Sequence, residues 1–306
     1  MDQGAEESGE SRVQGSESAP GGALTLDPRP LTLGGPSTLD SRLSQIIVCV
    51  KQVPDFSRVE QVPLDPKTGT ILRAGVPAIL NPFDKHAVEE ALRLREAQGG
   101  LVTAVTMGPP QARVALQDTL IMGADRAVLL TDASFGGADT FATSYVIAQA
   151  IRRLAPFDLM ICGRETLDSG TGHMAPSLAE WLDLPQVTCV SGLRIRERRL
   201  RARRTVEDGY QEIETSLPAV ISVTKEINSP RPMRLRDVAG AARKDITVWG
   251  LADLGLDRET VGLAGSPTQV PRVYPPEPRK GAEIMDGTIT QAVESLVSRL
   301  RELKAI

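Results

Sequence analysis

The chain has 306 residues, 41% of them hydrophobic, and a formal charge of −4, enough length to bury one large α/β domain or two smaller ones. The acidic balance and the 3% aromatic content exclude a general nucleic-acid surface, which needs cations and base-stacking rings. Two histidines exclude a histidine-rich metal site, no apolar run approaches the ~20 residues of a membrane span, and the widely spaced Cys49, Cys162 and Cys189 form no metal or disulfide framework, as in a soluble protein of a reducing, cytoplasmic compartment.

Residues 1–44 are rich in Gly, Ser, Pro and Glu without periodicity and are expected to form a disordered extension. Asp2, Glu6, Glu7 and Glu10 make its start acidic, unlike an Arg-rich transit peptide, and it has no apolar signal core. Ile46 to Val50 reads as the first buried strand, followed by Lys51-Gln52-Val53-Pro54-Asp55-Phe56, where Pro54 is expected to break regular structure. Asp65, Pro66, Gly69 and Thr70 suggest a small hairpin. Asn81-Pro82-Phe83-Asp84 opens a helix with Ala87, Val88, Ala91, Leu92 and Leu94 on one face. The adjacent Glu89 and Glu90 read as solvent-facing charge. Leu101 to Met107 is a second strand, Val114 to Leu116 sit on the next helix, and Ala127 to Leu130 is a third strand. A helix from about Asp139 carries Val146, Ile147, Ala150, Ile151 and Leu154.

Leu159 to Cys162 is a fourth buried strand, stopping at Gly163. The loop after it, with Asp168, Ser169, Gly170, Thr171 and Gly172, can turn several amides toward one anion. Thr171 is expected to cap a helix with Pro176 in its first turn, which would place a phosphate at the positive end of the helix dipole. An ordinary strand-to-helix connection is the alternative. Val187 to Val190 is a fifth strand. The alternation of strands and helices predicts a doubly wound, mostly parallel sheet, with ligands beyond the carboxyl ends of its strands. The loops after Cys49, at Met107-Gly108 and from Gly163 to Gly172 then converge on one crevice.

Beyond Ser191, Leu193–Glu197, Leu200–Val206 and Gln211–Thr215 alternate and carry many arginines around Asp208-Gly209, as in an antiparallel meander at the sheet edge. Those arginines read as solvated faces of edge strands in preference to a basic docking patch. Leu217 to Val223 is again a buried strand. Residues 228–255 show little periodicity, and an amphipathic helix from about Thr290 to Leu303 ends an extended C-terminal arm. Gly136-Gly137-Ala138-Asp139-Thr140 looks superficially like the glycine-rich loop of ATP-using enzymes, but it follows the third strand and lacks a leading Ser.

With these residues in place, the sequence resembles the beta subunit of electron transfer flavoprotein from Ile46 to Val273. The carrying motif is Ala202-Arg203-Arg204-Thr205-Val206-Glu207-Asp208-Gly209-Tyr210-Gln211-Glu212-Ile213 with Pro218-Ala219-Val220-Ile221-Ser222. VKQVPD from Val50, NPFDKHAVEEALRL from Asn81, MGADRA from Met122 and the Gly163 loop support it. The resemblance implies an adenine nucleotide alpha-hydrolase-like fold, a heterodimer with an alpha subunit, FAD bound chiefly by that partner, and an AMP buried in this chain. In some relatives a second FAD replaces AMP and NADH is used in electron bifurcation.

By the same resemblance Cys49, Asn81, Pro82, Phe83, Asp84, the stretch Ala104 to Met107, and the loop Gly163 to Thr171 with Gly163, Arg164, Asp168, Ser169, Gly170 and Thr171 would surround the nucleotide, and Phe56 would lie near the flavin ring. Residues 231–237 would dock on acyl-CoA or related dehydrogenases, with Leu235 as apolar anchor and Arg231 and Arg234 on its rim. Only Asp168, Ser169 and Gly170 stand between Leu167 and Thr171, where AMP-binding members have a longer acidic loop, and His173 stands where an amide is more usual. The implied organisation is a 1–44 extension, a 45–227 nucleotide-binding domain, a 228–255 partner-recognition segment, and a 256–306 arm packed on the alpha subunit.

Overall fold

The short runs of Ile, Val and Leu form strands because apolar side chains leave water on both of their faces. In a computed structural model, which describes residues 42–55, 57, 77–270, 281 and 284–306, they align as β1 (Gln45–Cys49), β4 (Leu101–Met107), β5 (Arg126–Leu130), β6 (Leu159–Gly163) and β10 (Ala219–Val223). The intervening elements are a small antiparallel pair, β2 (Gln52–Pro54) and β3 (Ala78–Leu80), then the helices α1 (Pro82–Gln98), α2 (Arg113–Met122), α3 (Thr140–Leu154) and α4 (Met174–Leu182). The meander is β7 (Gln186–Arg196), β8 (Arg199–Val206) and β9 (Gly209–Ser216). After β10 come α5 (Leu235–Ala241), β11 (Ile246–Trp249), α6 (Leu251–Leu254) and α7 (Ile289–Glu302).

The sheet has nine strands in the order β11-β5-β4-β1-β6-β10-β7-β8-β9. Neighbours from β11 to β7 are parallel, and β7, β8 and β9 are antiparallel. This is the expected α/β fold with a mostly parallel sheet and an antiparallel edge. Winding runs outward from β1 through β4 to β5, then jumps back across β1 to β6. Reversal of that kind places successive helices on opposite faces. Ile46, Val48 and Ala104 pack with Ala87, Ala91 and Leu92 of α1 and with Leu116 of α2. Ile47, Val105 and Met160 point the other way and are equally buried. The reversal point, between the carboxyl ends of β1 and β6, is where an open α/β sheet leaves a crevice.

Several local expectations are corrected. Pro54 ends a strand instead of breaking one, pairing with Ala78 at the margin of β2, where its missing N–H costs no ladder bond. The expected fifth strand and first meander segment are one bulged strand: Cys189 adopts φ 57°, and the register with β8 shifts between Val190 and Gly192. Thr171 does not cap α4. Gly170 (φ 61°) and Gly172 (φ 66°) keep the chain out of the helix until His173, which is the N-cap residue and makes no side-chain cap bond.

Residues 228–255 contain α5, β11 and α6, and β11 forms the sheet edge beside β5. Within the expected extension, Leu43 is buried and Ser44 donates its N–H and hydroxyl to Asp158 (2.5 and 2.7 Å). Residues 1–41 of that extension, the 65–70 hairpin and Phe56 lie outside the described residues. Most meander arginines face water as expected, Arg199 and Arg201 pairing across β8 and β9 with Glu214 and Glu212, but Arg198 turns in to the buried Asp158 (2.7 Å) and Arg204 buries its Nε. Among the described residues no helix is long and apolar enough to cross a membrane.

Candidate functional site at the carboxyl ends of β1 and β6

Three loops meet where the winding reverses, and Asn81 ties them together. The residue is fully buried; its backbone N–H donates to Lys51 O (2.9 Å), its side-chain amide donates to Glu165 O (2.8 Å), and its Oδ1 accepts from Leu167 N (3.3 Å). Pro82 follows as the first helical residue, where its fixed φ suits a helix and its missing N–H costs nothing. The first turn of α1 therefore starts against the ends of both strands. Asp84, in that turn, accepts Lys51 N–H at 2.8 Å. Burial pushes its carboxyl up to about 7, against hydrogen bonds from Asn81, Lys51 and the Gly163 amide that favour the charged form.

Gly163 leaves room for this contact. A Cβ there would overlap Asp84 Oδ1 and come within 2.9 Å of Asp84 N and Phe83 C. Lys51 continues the network by donating from Nζ to Asp168 Oδ1 (2.7 Å), a carboxylate that also accepts from Thr166 Oγ1 (2.8 Å). The Thr166 carbonyl accepts from Ser169 N and Gly170 N, folding the loop back on itself. Lys51 also borders a cavity of about 300 Å³ between the ends of β1 and β4, lined further by Val53, Pro54, Met107, Gly108 and Gln111. A larger cavity, about 460 Å³ and lined by Asp125, Arg126, Ala127, Lys244 and Thr247, opens mainly at the amino ends of the outer strands, away from this network.

Cys49 and Cys162 are register partners on β1 and β6. Their mutual hydrogen bond and burial push the Cys49 thiol well above its ordinary range. Distant in sequence, they are neighbours at the floor of the crevice, and among the described residues no metal-binding cluster forms around them.

Of the expected site residues, the structure brings together Cys49, Asn81, Pro82, Asp84, Gly163 and Asp168, with Phe83 half-buried in the same turn. Met107 lies one strand over, at the cavity. Ala104 is fully buried in the core beneath, in the cluster that includes Leu116 and Val48. Arg164, Ser169, Gly170 and Thr171 are exposed on the rim. Sequence reasoning missed the role of Lys51, although its place directly beyond the strand end could have indicated it. Thr106, within the expected Ala104 to Met107 stretch, has a buried hydroxyl with no partner among the described residues.

These residues fit an adenine nucleotide: a buried hydroxyl without a partner at the end of β4, and loop amides of Thr171 and Gly172 that no hydrogen bond engages among the described residues. Full countercharge is not supplied, because Lys51 is already neutralised by Asp168 and Arg164 stands 3.7 Å from Glu165. A phosphate would be held by amides more than by cations.

The ATP-loop reading of Gly136 to Thr140 fails on geometry. Asp139 caps Ala142 N (3.0 Å), accepts Thr268 N (2.9 Å) and donates its own N–H to Ser266 Oγ (2.8 Å), so the chain's own residues 266–268 fill that helix start.

Leu235, the expected apolar anchor, is 88% exposed, and Arg234 is exposed beside it, pairing with Asp237 (2.9 Å). Arg231 differs from the expected rim residue, because its guanidinium is spent within the chain on Glu89 (2.8 Å) and Glu96 (2.6 Å). Correspondingly Glu89 and Glu90 are buried, not solvent-facing, at 3% and 9% exposure. Their partners arrive from about one hundred and forty residues away and leave no local trace.

The chain is similar to known proteins over most of its length. Residues 68–254 match the electron transfer flavoprotein domain. The chain is 44% identical over 257 residues to an electron transfer flavoprotein subunit beta of Clostridium acetobutylicum, covering 84% of this chain and 98% of that protein. It is 44% identical over 260 residues to the caffeyl-CoA reductase-Etf complex subunit CarD of Acetobacterium woodii (84% and 98%), and 43% identical over 248 residues to protein FixA of Azotobacter vinelandii (78% and 87%). With a family model matching more than half of its length and relatives aligned nearly end to end, the chain belongs to the electron transfer flavoprotein family, among its beta subunits.

Proposed function

We propose that this chain pairs with an alpha subunit as an electron carrier, holding the adenylate of a nucleotide in the crevice beyond β1 and β6 while FAD sits chiefly on the partner. The mutual bonding of Lys51, Asn81, Asp84 and Asp168, drawn from three loops to the reversal point of the sheet, carries the reading. When bound, FAD supplies all of the redox chemistry. The chain's own residues bind and orient: Asn81 fixes the loops, the 163–172 loop presents its amides, and the first turn of α1 closes one wall. AMP and the adenylate half of a second FAD make the same demands on these residues. Exposed Leu235 beside Arg234 supports docking on an acyl-CoA or related dehydrogenase.

Nucleotide analysis of the purified heterodimer tests the proposal. One FAD with one AMP is expected for a simple carrier, and two FAD with reduction by NADH for a bifurcating one. A colourless heterodimer free of any adenine nucleotide would overturn both.

A further inference from the structure

Helix α1 joins the two halves of the proposed function. Its first turn borders the crevice, and two to four turns further on it grips the chain ahead of Leu235. Glu89 is the hub of this grip. Its carboxylate accepts Arg231 N (3.0 Å), Nε (2.8 Å) and Nη2 (3.2 Å) and also Arg93 Nε (3.0 Å). Glu96, two turns along, accepts Arg231 Nη1 at 2.6 Å, and Arg93 donates to Ser229 O (3.4 Å). Asn228 donates to Glu90 Oε2 (2.9 Å) and His86 O (3.0 Å). Burial alone would raise the Glu89 carboxyl, but the hydrogen bonds from Arg231 and Arg93 outweigh it and hold the group below its ordinary range.

A buried carboxylate meeting a forked guanidinium from both sides fixes direction as well as distance. Pro232 follows at once and restricts the chain further. Three residues later the backbone enters α5, and Met233 just before the helix and Leu235 and Val238 within it are exposed at 48%, 88% and 42%. Because α5 also leans on α2, losing the grip would loosen the lead-in, residues 229–234, without releasing the helix.

We infer that Glu89, seconded by Glu96, is a positioning residue for partner docking: by clamping Arg231 to α1 it sets the exposed ridge in register with the crevice end of the same helix. This rests on reading residues 228–241 as the docking segment. Its role is not electrostatic attraction of the partner, since the charges of the pair are consumed within the chain.

The test uses heterodimers carrying Glu89→Gln, Arg231→Gln, Arg231→Lys or Leu235→Ala, with butyryl-CoA dehydrogenase and butyryl-CoA as electron source. Glu89→Gln and Arg231→Gln are expected to speed amide exchange in 229–234 and raise the KM for the heterodimer about three- to tenfold, with kcat within about twofold and flavin content unchanged. Arg231→Lys, keeping the charge but losing the fork, should fall between them and wild type. Leu235→Ala should raise KM with exchange unaltered. Unchanged exchange or KM in both glutamine variants, with Leu235→Ala still impaired, overturns the clamp and leaves the docking reading standing. No transfer to the wild type, or no effect of Leu235→Ala, overturns the docking reading and the clamp with it.

Discussion

Replacing Gly163 with alanine is expected to destabilise the heterodimer and strip nucleotide from it, the largest effect of any single methyl group in the crevice. The added Cβ would overlap Asp84 Oδ1 and press on Asp84 N and Phe83 C at 2.9 Å, and two of these three atoms are backbone in the first turn of α1. A side-chain tip could swing away, but that turn cannot. Asn81 is bonded to both neighbouring loops, and Pro82 fixes φ at the helix start. Overpacking of a rigid contact costs about 1–3 kcal/mol. Here the strain falls on the wall of the proposed site, so loss of adenine nucleotide should accompany the drop in melting temperature. Gly240→Ala is the control: nothing lies within 4 Å of its added Cβ, and within a helix alanine is favoured by about 1 kcal/mol. Full nucleotide content with an unshifted melting temperature in Gly163→Ala would show that α1 is not seated on the end of β6.

The strands that build this wall were legible in the sequence because they are buried on both faces: β1, β4, β5, β6 and β10 read as mainly apolar runs, broken internally only by small hydroxyl residues such as Thr103, Thr106 and Ser222. What escaped is instructive in physical terms. β11 is four residues at an edge with Thr247 and Val248 exposed, so it lacks both the continuous run of a buried strand and a clean alternation. β7 looked like two strands because its bulge at Cys189 to Gly192 shifts the inward-facing residues by one. Thr171, a residue type that favours N-caps, suggested the helix start, yet the positive φ values of Gly170 and Gly172 on either side of it delay the helix. At the site, residue types at strand ends could be singled out, whereas the pairings could not. Lys51 with Asp168 and Arg231 with Glu89 join residues more than one hundred positions apart, and nothing local encodes which acid meets which base. The same gap explains why Glu89 and Glu90 read as surface charge: adjacency on a helix says that they do not share a face, not that each face is open.

Asp84→Asn is expected to flatten the pH dependence of stability. An aspartate in an unfolded chain titrates near 4, whereas burial pushes Asp84 up to about 7. Between those values the folded chain keeps a proton that the unfolded chain has released. The contribution is therefore whole below about pH 4, declines as pH rises toward about 7 and is level above it. The slope has a ceiling of about 1.4 kcal/mol per pH unit, and the whole fall is no more than about 4 kcal/mol. Asparagine keeps the shape of the protonated acid and cannot titrate. The wild type should thus lose ground to the variant as pH is raised from about 4.5 to 7.5, and their melting temperatures should run parallel above that. Comparing otherwise identical heterodimers cancels the alpha subunit's own titrations, and a difference independent of pH would sink the assignment. Because Lys51 and Asp168 neutralise each other, Asp84 sets the net charge of the crevice wall. A phosphate-bearing ligand meets a neutral wall when Asp84 is protonated and a repelling carboxylate when it is not, so nucleotide should be retained better by the wild type at about pH 6 than at about pH 8, and equally at both by the variant.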